Sequence, residues 1–304
     1  MSTSDDRASL LAAQPLRPAG PRPGFLAGTA QSVRDVWAHR ELLGLIVRRE
    51  LKAKYKDSIL GFFWTLARPL AMLVVYYVAI GKFLGAEYRP GQGGIPQFAI
   101  FIFSGLTAWQ LYSDIVTSGT GSIVGNAGLI KKVYVPREVF PLGAVGAAVF
   151  NFTIQLGILI GATAVLGQFP TGTRWFTFPL ALAVLVMFAT ALALFLAAVN
   201  VYLRDVQYLV EILIMILFWG SPIVYSWGLL SGQVDGILLD IYLANPMTQV
   251  VLGFQHVFWV AGDDHPGPEH LTEWLGITLG VSVVLLWLAQ RVFARLQSNF
   301  AQEL

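Results

Sequence analysis

The chain of 304 residues contains no cysteine, which removes disulfides, thiolate metal sites and cysteine nucleophiles at once. Charge is scarce as well: Asp, Glu, Lys and Arg make up 12% of the residues, about half the ~25% of a soluble domain. Long stretches lack them altogether. The 28 residues from Val139 to Leu166 and the 27 from Trp175 to Val201 carry none of the four. Each exceeds the ~20 residues that a helix needs to cross a ~30 Å hydrocarbon core. Disorder, a secreted disulfide scaffold and a cytosolic enzyme are thereby excluded, and a polytopic membrane protein remains. The 56% hydrophobic content and mean hydropathy of +0.64 agree.

Nucleotide and metal signatures are missing too. No G-x-x-x-x-G-K-[ST] loop occurs, and the nearest glycine-rich stretch, GTGSIVGNAGLIKK at 119–132, has neither its spacing nor its ending. The four histidines, His39, His256, His265 and His270, form no H-x-x-x-H pair. His265 and His270 beside Asp263, Asp264 and Glu269 read as a solvated polar loop rather than a metal site. No catalytic centre, cofactor, metal or nucleic-acid partner is expected. The opening MSTSDDRASL lacks a basic segment followed by an apolar one, so no cleaved signal peptide is expected.

What is present is unevenly placed. Ten of the 20 Lys and Arg residues precede residue 57, although the formal net charge is only +2. Residues 1–32, with Pro15, Pro18, Pro21 and Pro23, read as a disordered cytoplasmic tail. Residues 33–57 read as an amphipathic interface helix. Val33, Trp37, Leu43, Val47 and Leu51 keep near-helical spacing, and its basic groups suit anionic lipid headgroups. Residues 58–304 form the expected transmembrane domain. Six spans are expected: Gly61–Leu84, Pro96–Ser118, Val139–Leu166, Trp175–Val201, Val206–Ser226 and Trp274–Gln290. With the amino terminus inside, 16 of the 20 basic residues fall on cytoplasmic pieces. The positive-inside rule therefore puts both termini in the cytoplasm of an inner or plasma membrane protein.

From Trp227 to His270 there is no Lys or Arg, which fits an outer segment. Its two short apolar runs, Ile237–Leu243 and Val250–Val260, are split by Asn245-Pro246. Eleven helical residues rise only about 16 Å, so these runs read as re-entrant or interfacial helices; two further spans are the rival reading. The fold class is all-α: six transmembrane helices, an amino-terminal interface helix and outer re-entrant helices between spans five and six.

Intramembrane charges suggest function because each is costly there. Arg68 either snorkels to the headgroups or lines a polar path, while Asp114 and Glu211 face the protein interior, where either can pair with Arg68. Aromatics are dense, with 9 Trp, 10 Tyr and 20 Phe. Most serve belts and packing. Phe62 and Trp64 near the start of span one, and Tyr225, Trp227, Phe254, Phe258 and Trp259 near the outer segment, are candidates for a conduit or gate, since sugar C–H faces lie well on aromatic rings. The loop NAGLIKKVYVPREVFPL (126–142) is either an ordinary positive loop or a docking element for a cytosolic partner. In the second reading Leu129 and Ile130 insert while Asn126, Lys131, Lys132, Arg137 and Glu138 orient.

Four segments, RELKAKYKDSILGFFWTLARPL (49–70), the 126–142 loop, YLRDVQYLVEILIMILFWGSPIVYS (202–226) and NPMTQVVLGFQHVFW (245–259), resemble the transmembrane permeases of ABC exporters for cell-envelope polysaccharides. That group moves O-antigen, teichoic acid and lipid-linked galactan. The resemblance implies a homodimer and two separate ATPase subunits, which carry the ATP and Mg and dock under a coupling helix near Asn126–Val135. It also implies a lipid-linked polysaccharide as substrate. In one place the chain departs from many relatives, with Gln255 beside His256 where an arginine is usual. An intramembrane glycosyltransferase and an exporter of drugs or small lipids are the alternatives.

Overall fold

The computed structural model describes residues 25–55, 63–87, 94–132, 135–233, 236–265 and 267–304. Phe62 lies outside the described residues, and so do the side chains of Trp64 and Arg68. Among the described residues the chain is helical, with no strand and a single isolated bridge between Glu87 and Ile95.

The amphipathic segment forms two helices, α1 (Phe25–Ala38) and α2 (Arg40–Tyr55), broken at His39. Helix α1 begins at Phe25, inside the stretch read as a disordered tail and beyond its four prolines. Helix α2 docks on a later span through two glycines. A Cβ at Gly143 would stand 2.5 Å from Ile46 Cγ2, and one at Gly146 would stand 2.7 Å from Val47 Cγ2. Side chains there would push the two helices apart.

Among the described residues four helices are long and apolar enough to cross a membrane, or five if the bent pair described below counts as one span. They contain α4 (Phe98–Gly125), α6 (Val139–Val165), α7 (Thr177–Tyr202, led by a 3-10 turn from Gly172) and α12 (Leu271–Leu296). Helix α4 is central: 78% of its apolar window is enclosed, against 28% for α12. It packs on α6 and α7, and α12 packs on α7 from the other side. Small and hydroxylated residues make close approach possible, and several hydroxyls and amides bond to backbone carbonyls. Thr107 and Thr120 donate to the carbonyls of Phe103 and Val116, both at 2.7 Å, and Asn200 Nδ2 donates to Thr120 O at 3.1 Å.

The expected first and fifth spans are less regular. Helix α3 (Phe63–Tyr76) contains Pro69 and continues as a π-helix over Tyr77–Phe83. Helix α8 runs only over Val206–Trp219, 14 residues, or about 21 Å of rise. The remainder of the expected span, to Ser226, is a turn at Gly220-Ser221-Pro222. After the short α9 (Trp227–Ser231), the Asn-Pro pair separates α10 (Ile237–Ala244) from α11 (Pro246–Phe258) by a bend of 80°. Asn245 caps α11 by accepting from Met247 N at 3.0 Å, and Pro246 occupies the first helical turn, where its missing N–H costs nothing. A short helix α5 (Ala127–Ile130) follows α4, and α13 (Phe300–Glu303) ends the chain.

Candidate functional site: a polar groove, its cap and its base

Between α3, α4 and α8 lies a cavity of about 630 Å³. Its apolar walls come from Tyr76, Trp109, Phe218 and Trp219, and its polar surface from Gln110, Ser113, Asp114, Thr117, Ser118 and Glu211. The aromatic walls are braced against one another: Tyr76 stacks on Phe218 at 5.7 Å between ring centres, and Trp109 meets Phe218 edge-on at 5.7 Å. Each acid is held by a glutamine one helical turn before it. Gln110 Nε2 donates to Asp114 Oδ1 at 2.8 Å, and Gln207 Nε2 donates to Glu211 Oε1 at 3.3 Å. Asp114 and Glu211 thus line the same cavity, but Glu211, expected to face the protein interior, is exposed. Arg68, expected to pair with one of them, has its side chain outside the described residues, as does Trp64.

At one end of the bundle, the irregular backbone after α8 is satisfied by side chains. Tyr225 donates its hydroxyl to Trp219 O at 2.8 Å and lies 2.9 Å from the Tyr242 hydroxyl, while Gln255 Nε2 donates to Pro222 O at 2.7 Å. Gln255 is buried and joins α11 to the break. Its amide answers a carbonyl freed by the interrupted helix, a group that would otherwise be costly at membrane depth. The reading from sequence recognised Gln255 only as a departure from relatives, because the carbonyl it serves lies 33 residues away.

The five aromatics expected at the gate divide. Trp227 and Trp259 line a second cavity of about 530 Å³ at this end, and Tyr225 secures the turn. Phe254 and Phe258 are fully buried with Phe152, Trp175 and Phe178. Their rings pack against those neighbours, and neither residue lines either of the two cavities. Arg174, in the turn before α7, lines the second cavity and forms an ion pair with Asp263 at 2.5 Å.

At the opposite end, the 126–142 loop is divided in the same way. Lys131 and Lys132 are exposed. Ile130, expected to insert into a partner, is instead buried in this chain's own cluster with Ile123, Val139 and Phe140, and Leu129 packs against that cluster. Asn126 accepts a short hydrogen bond from Arg49 Nη2 on α2 and donates to Ser122 O at 2.7 Å, so α2 and the end of α4 are tied together. Arg137 lies over the Phe300 ring at 5.9 Å. Glu138 is buried and accepts from Gln297 Nε2 at 3.3 Å. Burial pushes its carboxyl above the ordinary range, against the opposing pull of that hydrogen bond and of Arg291.

Residues 41–259 match the ABC-2 type transporter family. The chain is 33% identical to the O-antigen export system permease protein RfbA of Myxococcus xanthus over 90% of its own length and 98% of that protein. It is 25% identical to the O-antigen export system permease protein RfbA of Klebsiella pneumoniae, over 86% of this chain and 94% of the relative. It is 23% identical to the polysialic acid transport protein KpsM of Escherichia coli, over 67% and 75% of the two chains. A match that runs from α2 through the bent α10–α11 pair takes in the groove, its cap and its base together, and the chain belongs to the ABC-2 type transporter family.

Proposed function

We propose that this chain is the permease subunit of an ATP-driven exporter that moves a lipid-linked cell-envelope polysaccharide from the cytoplasm to the outer face of the membrane. The observation that carries this reading is the groove between α3, α4 and α8. It combines aromatic walls with two glutamine-held acids. Polysaccharide carriers among the relatives with near full-length similarity support the substrate class.

In this reading the chain crosses the membrane six times, with α3 and the α8 segment as the irregular first and fifth spans and both termini in the cytoplasm. Two copies face each other across the α3–α8 side, where Val75, Leu209, Leu213 and Ile216 are exposed. The groove then becomes one wall of a conduit shared by the pair. Two ATPase subunits hold ATP and Mg, and dock beneath Lys131 and Lys132. Their closure pushes on α5 and, through the Arg49–Asn126 hydrogen bond, on α2. The lipid anchor stays in the bilayer while the sugars pass the aromatic wall, and α10 and α11 close the outer end.

The deciding experiment is depletion of the chain in its own cell, with mass analysis of the glycolipids that accumulate and co-purification of its ATPase. Build-up of a lipid-linked polymer on the cytoplasmic side is expected. Unchanged polymer with altered efflux of small amphiphiles would favour a drug or small-lipid exporter, and sugar transfer by the purified chain alone would favour a glycosyltransferase.

A further inference from the structure

The second cavity has no part in the conduit described above, and its chemistry is of a different kind. It lies at the end of the bundle opposite Lys131 and Lys132, lined by the turn before α7, by Phe101 of α4, by α9, by α11 and by the loop leading into α12. Its volume of about 530 Å³ lies within the ~300–1,000 Å³ of small-molecule sites. Trp227 and Trp259 form its aromatic wall, and Trp259 is held by Nε1 donating to Pro96 O at 2.6 Å and by its ring against Phe101 at 4.9 Å.

Two polar atoms in the lining are buried without a partner among the described residues: Arg174 Nη1 and His265 Nδ1. Both residues are otherwise engaged. Arg174 uses Nη2 on both carboxylate oxygens of Asp263, at 2.5 and 2.6 Å, and His265 Nε2 lies 3.2 Å from Gly94 O. A buried guanidinium nitrogen left unanswered is costly, and two such atoms in one aromatic-walled cavity point to an occupant that supplies hydrogen-bonding oxygens.

The charge balance selects among occupants. Arg174 is already neutralised by Asp263, and Asp264 and Glu269 add negative charge in the same loop. An anion such as phosphate would meet net repulsion. A neutral polyhydroxyl ring meets none: its hydroxyls can serve the two orphaned nitrogens and the Asp263 carboxylate, while its C–H face lies on tryptophan. We infer that this cavity is a saccharide-binding site, taking a short neutral segment of glycan on the far side of the membrane from the ATPase docking face. The assignment of a glycan as cargo rests on the proposed function; the presence of a sugar site does not depend on transport. Bound there, an emerging segment is kept from sliding back into the conduit between strokes.

The test uses the full chain in lipid nanodiscs, titrated calorimetrically with neutral oligosaccharides released by mild acid from the envelope polysaccharide of the source cells. Inorganic phosphate serves as the competing probe. Arg174→Lys keeps the charge and the partner Asp263 but removes the second guanidinium nitrogen, and it should weaken binding about tenfold, the effect of one lost charge-assisted hydrogen bond. Trp227→Ala should weaken it as well, with thermal unfolding run in parallel to register any loss of fold. Phosphate should neither bind nor displace the sugar. Absence of binding to the wild-type chain, equal affinity in Arg174→Lys, or displacement by phosphate would each overturn the site. If depletion causes glycolipid to accumulate but the oligosaccharide does not bind, this inference fails and the proposed function stands. If the oligosaccharide binds but no polymer depends on the chain, the reverse holds.

Discussion

Phe254 and Trp227 are both aromatic, both in the segment between α8 and α12, and have opposite duties. Phe254 has no exposed surface and sits among Phe152, Phe178 and Phe258. Phe254→Ala should therefore cost about 3–5 kcal/mol of stability, seen as a lower unfolding temperature in detergent. Trp227 borders a cavity, so Trp227→Ala should impair export at constant protein level, measured by surface polysaccharide, with a much smaller fall in that temperature. At the other end, Lys131 and Lys132 are exposed, and reversing both to Glu should abolish co-purification of the ATPase and stimulation of its turnover while the chain remains folded. Glu138 makes a pH-dependent contribution. Its folded-state carboxyl binds a proton more tightly than the unfolded one, so stability is greatest at low pH and falls as pH rises above about 4.5 through the raised value. Glu138→Gln should flatten that slope in thermal scans taken across the range.

Elements carry the coupling. Helix α2 lies on α6 through Gly143 and Gly146, and its Arg49 reaches Asn126 where α4 gives way to α5. A push on one is thus felt by the other. Gly146→Leu would place a side chain where Val47 already stands, and should lift α2 from α6. The expected outcome is an exporter that still binds its ATPase through the 126–142 loop yet transports several-fold less, with faster hydrogen exchange over residues 40–55 as the direct reading. The bent α10–α11 pair follows from local chemistry, since Asn245 caps and Pro246 starts α11. The interrupted α8 does not. Its early end at Trp219 is stable because Tyr225 and Gln255, from two other segments, answer the carbonyls of Trp219 and Pro222.

For the molecule as a whole, the distribution of exposed apolar surface bears on assembly. Helices α3 and α8 present Val75, Leu209, Leu213 and Ile216, and α12 presents Ile277, Val281 and Val284. Lipid can cover either face, but only the first borders the groove. The absence of native cysteine makes the test direct. A single cysteine at Leu213 should give a disulfide-linked dimer in membranes under mild oxidation, whereas one at Val284 should stay monomeric; the opposite pattern would move the seam to α12 and leave the groove facing lipid.

Composition and hydropathy alone determined that this chain is helical and membrane-embedded, because uncharged runs of this length have no other stable setting. The Asn-Pro break, the two intramembrane acids and the basic loop were equally legible, each being a local signal. Which aromatics are walls and which are packing was not, since Phe254, Phe258, Trp227 and Trp259 share one segment and differ only in what other helices bring against them. The same holds for Ile130, turned inward by a cluster drawn from α4, α6 and α7, and for the pairing of Arg174 with Asp263 across 89 residues. Periodicity assigns a residue to a helix face; only tertiary packing decides whether that face meets a neighbour, a cavity or lipid.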